Sequence, residues 1–431
     1  MKITPAQRVY ILGAMLCVAL TSCSRNFGDR GGPYFMVSLT LAGIVYLLAI
    51  REFFATPKFP RRVVVIGLVL AAAWSIAFLR VPPGADDDIH RYVWDGRLQR
   101  LGYNPYLVVP NDPAVKGLHT PETRNLNNAY LPSPYPAGAE LFFRAVTAIR
   151  ESTFALKVAF VVCEFAIVFV LLDLLRYTGQ EQRSHLVLAF AWNPLLAIEV
   201  AGSGHVDIVG ALLLVVSAAA LVRRWRATAA VSLGLAIAVK FLPVVLLPLY
   251  WKRVRIRDAA LAAGVVGLLY IPFLSHGRIP IGSLGTYVQS FRFNGPLFAA
   301  LDQAAPPQLL AGLAVLVGFL TAVRLRKTSD AWSPDAFAWP MAASLFCAPV
   351  VYPWYLLWLL PFLRSASTLP IIIWTVSIIP IYVQWHLRAL GRPWGSLPGW
   401  VMLLEYGCVA AAAGIIAFRR STRPVTTPVS H

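Results

Sequence analysis

The stretch Asp86-Asp87-Asp88-Ile89-His90-Arg91-Tyr92-Val93-Trp94-Asp95-Gly96-Arg97 sets three consecutive carboxylates just after an apolar run that ends near Arg80. The chain has 20 acidic residues in 431, and four of them fall here. Carboxylates at the mouth of a membrane helix are costly to keep unless they are solvated or used. A buried carboxylate with another beside it has a raised pKa, which suits a base that takes a proton from a hydroxyl. The plainer explanation is a cap on the positive N-terminus of the following helix, which accounts for one Asp readily and for three less well. Arg91, Arg97 and Arg100 are spaced to meet phosphate or lipid headgroups.

A second constellation runs from Asn193-Pro194-Leu195 through Glu199 to Gly202-Ser203-Gly204-His205-Val206-Asp207. Glu199, His205 and Asp207 fall at one end of two apolar runs, where ionisable residues are functional candidates by default. A lone membrane histidine is often only a hydrogen bond between helices. Asp207 and the flexible glycines beside His205 argue for a site. Lys240 lies inside an apolar segment with no acidic neighbour in sequence. It needs an anion, either a lipid-linked phosphate or a protein carboxylate such as Glu199 or Asp207. Tyr287, Phe291, Phe293 and Asn294, and then Tyr352, Trp354, Tyr355 and Trp358, form aromatic patches suited to a sugar or prenyl groove or to an ordinary interfacial belt.

The elements that must carry these residues are membrane helices. The chain is 58% hydrophobic and 13% charged, with mean hydropathy +0.64, whereas soluble domains average about 25% charged. Apolar runs recur at 8–23, 33–50, 62–80, 154–175, 185–201, 206–222, 259–275, 308–325, 335–350, 352–364, 369–386 and 400–418. They are too long and too uniformly apolar for barrel strands. The expected fold is therefore all-α and polytopic, with about 12–14 membrane segments in a single unit over 1–431. The net charge of +18 sits in short loops between apolar runs, which points to the bilayer and excludes nucleic acid as the partner. Five scattered cysteines without a CxxC pair indicate neither zinc nor a disulfide framework. Leu20-Thr21-Ser22-Cys23 has the form of a lipoprotein processing box, although an ordinary first span is the plainer expectation.

With the N-terminus in the cytoplasm, nearly every short basic loop falls on the cytoplasmic side. The opposite face then receives loop 81–153, the Gly202–His205 turn, loop 276–307 and loop 387–398. Within 81–153, residues 89–101 read as an amphipathic helix on the membrane interface, and 136–150 as a second. Segment 227–250 has basic loops at both ends, so it is expected to dip in and return, turning near Lys240 and Pro243. No internal repeat or inverted symmetry is evident.

Asp87-Asp88-Ile89-His90-Arg91-Tyr92, Trp94-Asp95-Gly96-Arg97 and Gly102-Tyr103-Asn104-Pro105-Tyr106 together resemble the first outer loop of C-type (GT-C) glycosyltransferases. The group resembled is the polyprenol-phosphate-mannose-dependent mannosyltransferases of the family 87 kind. The resemblance continues through Tyr135-Pro136, Asn193-Pro194, Gly204-His205-Val206-Asp207, Lys240 with Pro243, Phe293-Asn294-Gly295 and Pro353-Trp354-Tyr355. Many relatives read Tyr-Pro-Pro where this chain has Tyr135-Pro136-Ala137, and carry the acidic loop after the first span rather than the third. The resemblance implies an outward-facing site, a polyprenyl-monophosphate sugar donor and an acidic base in the outer loop. An Asp-x-x-Arg-Tyr pattern in related transferases places that base on Asp88, with Asp87 beside it. Arg91, Tyr92, Asp95, His205, Asp207, Lys240 and Asn294 are then the substrate-binding candidates. Neither a metal nor a cofactor is expected, the lipid-linked sugar being a co-substrate. The acceptor would be an envelope glycan or glycolipid, and the enzyme a multi-pass plasma-membrane protein whose site faces the periplasm or cell exterior. A transporter or flippase for a lipid-linked sugar is the competing class. It would not need clustered aspartates on a large loop and should show repeat symmetry.

Overall fold

The computed structural model describes residues 3–84, 87–124, 126–275, 280–328, 333–395 and 397–421. The first third comprises α1 (Pro5–Arg25), α2 (Pro33–Ala55), α3 (Arg61–Leu79), α4 (Ile89–Arg100), α5 (Ala137–Ile149) and α6 (Thr153–Tyr177). Next come α7 (Val187–Ala191), α8 (Asp207–Val222), α9 (Arg226–Val239), α10 (Leu247–Tyr250) and α11 (Ile256–Tyr270). The remainder holds α12 (Leu284–Ser290), α13 (Pro296–Leu301), α14 (Pro307–Thr328), α15 (Pro334–Phe346), α16 (Leu369–Ser377), α17 (Val383–Ala389) and α18 (Gly399–Ser421). Among the described residues no strand exceeds an isolated bridge such as Phe293 with Val350. The protein is an all-α polytopic membrane protein, as its hydropathy implies.

Eight helices among the described residues are long and apolar enough to cross a membrane, or nine when the pair Glu181–Ala191 and Leu196–Gly202 is taken as one bent span. This is fewer than the 12–14 segments expected, because several apolar runs fold as short pieces. α8 and α9 have 16 and 14 residues. The run 335–350 yields a 13-residue α15 that contains Pro340. The run 352–364 is a chain of 3₁₀ turns started by Pro353 and Pro361, since proline cannot donate the helical hydrogen bond. The bent pair breaks by 67° at Asn193-Pro194, beyond which Leu196–Gly202 winds as a π-helix.

Segment 227–250 turns as the basic loops imply. α9 runs along α8, Lys240 is extended, and a 3₁₀ turn (Leu242–Leu246) leads into α10. The Ser217 hydroxyl in α8 donates to Ala229 O and lies 2.8 Å from the Tyr250 hydroxyl, so both arms end at one level of α8.

The helix expected on the membrane interface is not peripheral. Nine of the twelve residues of α4 are buried, including Arg91, Asp95 and Gln99. It packs on α5 and α6, and its polar side chains fasten the outer loop rather than facing water. A small core of Trp94, Leu98, Val115 and Leu126 holds that loop over α4. α5 follows the second expected interfacial helix closely.

Candidate active site

A cavity of about 340 Å³ opens between the start of α4, the loop before α5, the turns at His205 and Lys240, α12, the 352–355 turn and α17. Lys157, at the start of α6, donates to Phe78 O and Val81 O and so ties off the end of α3. The chain then turns through Gly84 and reaches Asp87 and Asp88, both on the cavity wall.

The two carboxylates are engaged differently. Asp87 is buried and paired with Arg30 at 2.7 Å, and it accepts from Gly84 N at 2.6 Å. Arg30 also donates to Ser203 Oγ at 2.6 Å, so Asp87 is built into a brace between the α1–α2 loop and the bent span. Burial raises the Asp87 carboxyl above the usual carboxylate range, against the pull of Arg30 and His205. Asp88 is half-buried. It occupies the N-cap position of α4, yet its side chain makes no capping bond. Its carboxylate accepts instead from Asn127 Nδ2 at 2.7 Å and from the Tyr135 hydroxyl at 3.0 Å. Burial first, then the Asp88 charge, holds the Tyr135 phenol far above its ordinary pKa, so it stays a donor to the carboxylate. Asp86, the first of the three carboxylates, lies outside the described residues.

Arg91 lines the cavity, but its guanidinium donates to the carbonyls of Asn127, Asn128 and Leu131. It shapes the segment that carries Asn127. Tyr92 is buried and stacked on Phe143 at 4.3 Å, outside the cavity lining. Asp95 is buried against α5 near Glu140, also outside it. Burial pushes the Asp95 carboxyl up to about 6, and burial together with the Asp95 charge holds Glu140 well above its usual range.

On the facing wall, Lys240 Nζ donates to Asp207 at 2.8 and 3.0 Å and sits 4.1 Å from the Tyr355 ring centroid. Of the anions open to Lys240, the fold supplies Asp207, which also accepts from Trp358 Nε1 at 2.7 Å. Lys240 and His205 both line the cavity. His205 is delivered by Gly204, whose φ of +79° L side chains rarely adopt and whose Cβ would fall 2.4 Å from Ile89. Asn294 does not reach the cavity. Its amide donates to Glu405 at 3.0 and 3.1 Å and to Val351 O at 3.3 Å, binding α18 to the 351 turn.

Residues 20–254 match the family described as alpha-(1→6)-mannopyranosyltransferase, N-terminal domain (MptA_B family), over more than half of the chain. The chain belongs to this alpha-(1→6)-mannopyranosyltransferase family. No curated protein matches it. The protein is a mannosyltransferase, with a sugar donor and an acceptor as its substrates.

In this mannosyltransferase the sequence reading did not single out Arg30, Asn127, Trp385, Arg388 or Trp394. Arg30 had a usable signal: it is a basic residue in a seven-residue loop (26–32) between two apolar runs. Asn127 and the two tryptophans had none, because polar loop residues and interfacial indoles are common. Among the described residues no three His, Cys, Asp or Glu side chains converge as a metal site.

Proposed function

We propose that this mannosyltransferase is an inverting enzyme that moves mannose from a polyprenyl-phosphate donor to an envelope glycan or glycolipid on the outer membrane face. The observation that carries this is Asp88, whose carboxylate is presented to the cavity by Tyr135 and Asn127 while Lys240 and His205 share the same lining. A base on one wall and cations within reach match what transfer from a lipid monophosphate needs.

Asp88 accepts the proton of the acceptor hydroxyl as its oxygen attacks the anomeric carbon. The bond from that carbon to the phosphate oxygen breaks, and its electron pair leaves on polyprenyl phosphate. The leaving phosphate gains one negative charge, which Lys240 and His205 offset. An α product by inversion requires a β-configured donor. The leaving group is already good, so no metal enters the mechanism. The basic loops on the opposite face favour an outward site, where a lipid-carried donor is available and a nucleotide sugar is not.

The test uses purified enzyme, radiolabelled polyprenyl-phosphate mannose and a panel of acceptors. Asp88→Asn should lower transfer by roughly 10²–10⁴-fold. Full transfer by both Asp88→Asn and Asp87→Asn would remove the assigned base, and loss of transfer in EDTA would remove the metal-free mechanism. For orientation, Lys116→Cys should label from outside intact cells and Arg255→Cys should not.

A further inference from the structure

His205 ends a column of stacked rings. Its imidazole lies 4.0 Å from the Trp354 ring with 9° between the planes. Trp354 stacks on Tyr352 at 4.3 Å, and Tyr352 on Phe293 at 4.6 Å. The histidine is 1% exposed. Its Nδ1 is 2.9 Å from Glu199 Oε2 and 3.2 Å from the Glu199 carbonyl oxygen. Both are acceptors, so Nδ1 carries a proton in either charge state. Nε2 has no hydrogen-bond partner among the described residues, and His205 lines the cavity.

Glu199 is itself fixed. The Tyr382 hydroxyl donates to its Oε1. Its carbonyl, at the centre of the π-helical stretch, also accepts from Gly204 N and His205 N. A π-turn places one residue more than an α-turn between bonded groups, and here it folds the His205 ring back over the Glu199 backbone.

We propose that Glu199, braced by Tyr382, is a positioning residue that holds His205 as an imidazolium with its Nε2–H directed into the cavity, where it donates to the phosphate of the leaving group. The proposal rests on the lipid-phosphate donor argued above. No bond to His205 forms or breaks, and no proton leaves it. Its charge is in place before the phosphate develops its own.

The surrounding charges support a cation at this position. Asp87 and Asp88, ahead of α4, and Glu199 face it as carboxylates. The nearby cations each already have a protein partner: Arg30 has Asp87, Lys157 two carbonyls, Lys240 Asp207 and Arg91 three carbonyls. Arg388, also on the cavity wall, lies 5.3 Å from the Trp394 ring centroid. Burial, the largest single effect, works against the His205 charge. The Glu199 carboxylate, 2.9 Å from Nδ1, with Asp88 and Asp87 behind it, more than offsets that and raises the His205 pKa. The Trp354 face adds attraction for a stacked cation.

The experiment is a titration of His205 by NMR in detergent-solubilised, ¹⁵N-histidine-labelled protein, with the signal assigned by its loss in His205→Asn. It is run beside donor kinetics from pH 5.5 to 9. The wild-type midpoint should lie above the ordinary value of about 6.5. Glu199→Gln keeps an acceptor but drops the charge. It should lower that midpoint by about one unit or more, and the alkaline limb of kcat/KM should move down with it. Near pH 5.5 its activity should return to within about threefold of wild type. An equal loss of activity at every pH, or an unchanged midpoint, overturns the proposal. If Glu199→Gln does not fold, Glu199→Asp, which keeps the charge but withdraws it from Nδ1 by one methylene, serves instead, with a lowered midpoint supporting the proposal and an unchanged one overturning it. A wild-type enzyme that uses no polyprenyl-phosphate sugar at any pH refutes the donor, and the NMR midpoints then still decide the role of Glu199.

Discussion

The Tyr135 hydroxyl donates to Asp88 Oδ2 at 3.0 Å, joining the turn before α5 to the N-cap position of α4. This bond, with the one from Asn127, aims the carboxylate without consuming its charge. Removing one hydrogen bond to a charged group costs about 1.5–3 kcal/mol. Tyr135→Phe should therefore lower kcat by roughly 10- to 100-fold and lower Tm by a few degrees. Single-turnover transfer with saturating donor checks this. A Tyr135→Phe enzyme with wild-type kcat would mean that Asp88 needs no such aim.

Lys240 and Asp207 are coupled differently, since Asp207 is fully buried and its other partner is the Trp358 indole. Lys240→Met leaves that carboxylate unpaired. Breaking one side of a buried pair costs about 3–5 kcal/mol, so a large drop in Tm is expected. Adding Asp207→Asn should recover most of the stability but not the activity. Thermal unfolding of the two single variants and the double variant in detergent reads the cycle.

The Asp95–Glu140 pair sets a pH dependence of folding. Both carboxyls titrate above their unfolded values, so the folded state holds more protons than the unfolded state above about pH 4. Stability contributed by the pair is fully present below that pH and is lost as pH rises through about 6, where Asp95 gives up its proton, and beyond it for Glu140. Tm should fall between pH 5 and pH 8. Glu140→Gln, which leaves Asp95 facing a neutral amide, should flatten that slope, and equal slopes would assign it to other groups.

Gly96 lets α4 lie directly on α5. A Cβ there would meet Thr147 Oγ1 at 2.5 Å and Phe143 O at 2.7 Å. Gly96→Ala forces the helices apart at a cost of about 1–3 kcal/mol. Because Asp88 directly precedes α4 and Tyr135 precedes α5, the same shift should lengthen their hydrogen bond and lower kcat. Gly102→Ala, at a site with open space around its Cβ, tests backbone strain alone, since its φ is +86°.

Asp88 was legible because three carboxylates beside an apolar run must be explained, and Lys240 because an unpaired membrane lysine needs an anion. The reversal of 227–250 near Lys240 followed from its basic flanks. Which members of a motif reach a cavity is not a property of spacing. Arg91 turns to three carbonyls, Tyr92 stacks on Phe143 and Asp95 lies against α5, although all three belong to the stretch that contains Asp88. Asn294 was expected near substrate and is instead tied to Glu405. The Arg30–Asp87 brace joins residues 57 positions apart, and such pairings are decided by packing that no local pattern encodes. The number of spans was overestimated because hydropathy does not register the prolines that cut an apolar run into turns.

The stretch matched to the family ends at residue 254, yet Tyr287, Tyr352, Trp354, Trp385, Arg388 and Trp394 line the same cavity from beyond it. Asp88 and the aromatic wall thus lie in separate parts of the chain. A chimaera joined near Trp251–Arg255 would exchange the wall while the residues around Asp88 stay in place. Trp354 would be the exception, since His205 rests on it and any incoming wall must bring a ring to that position.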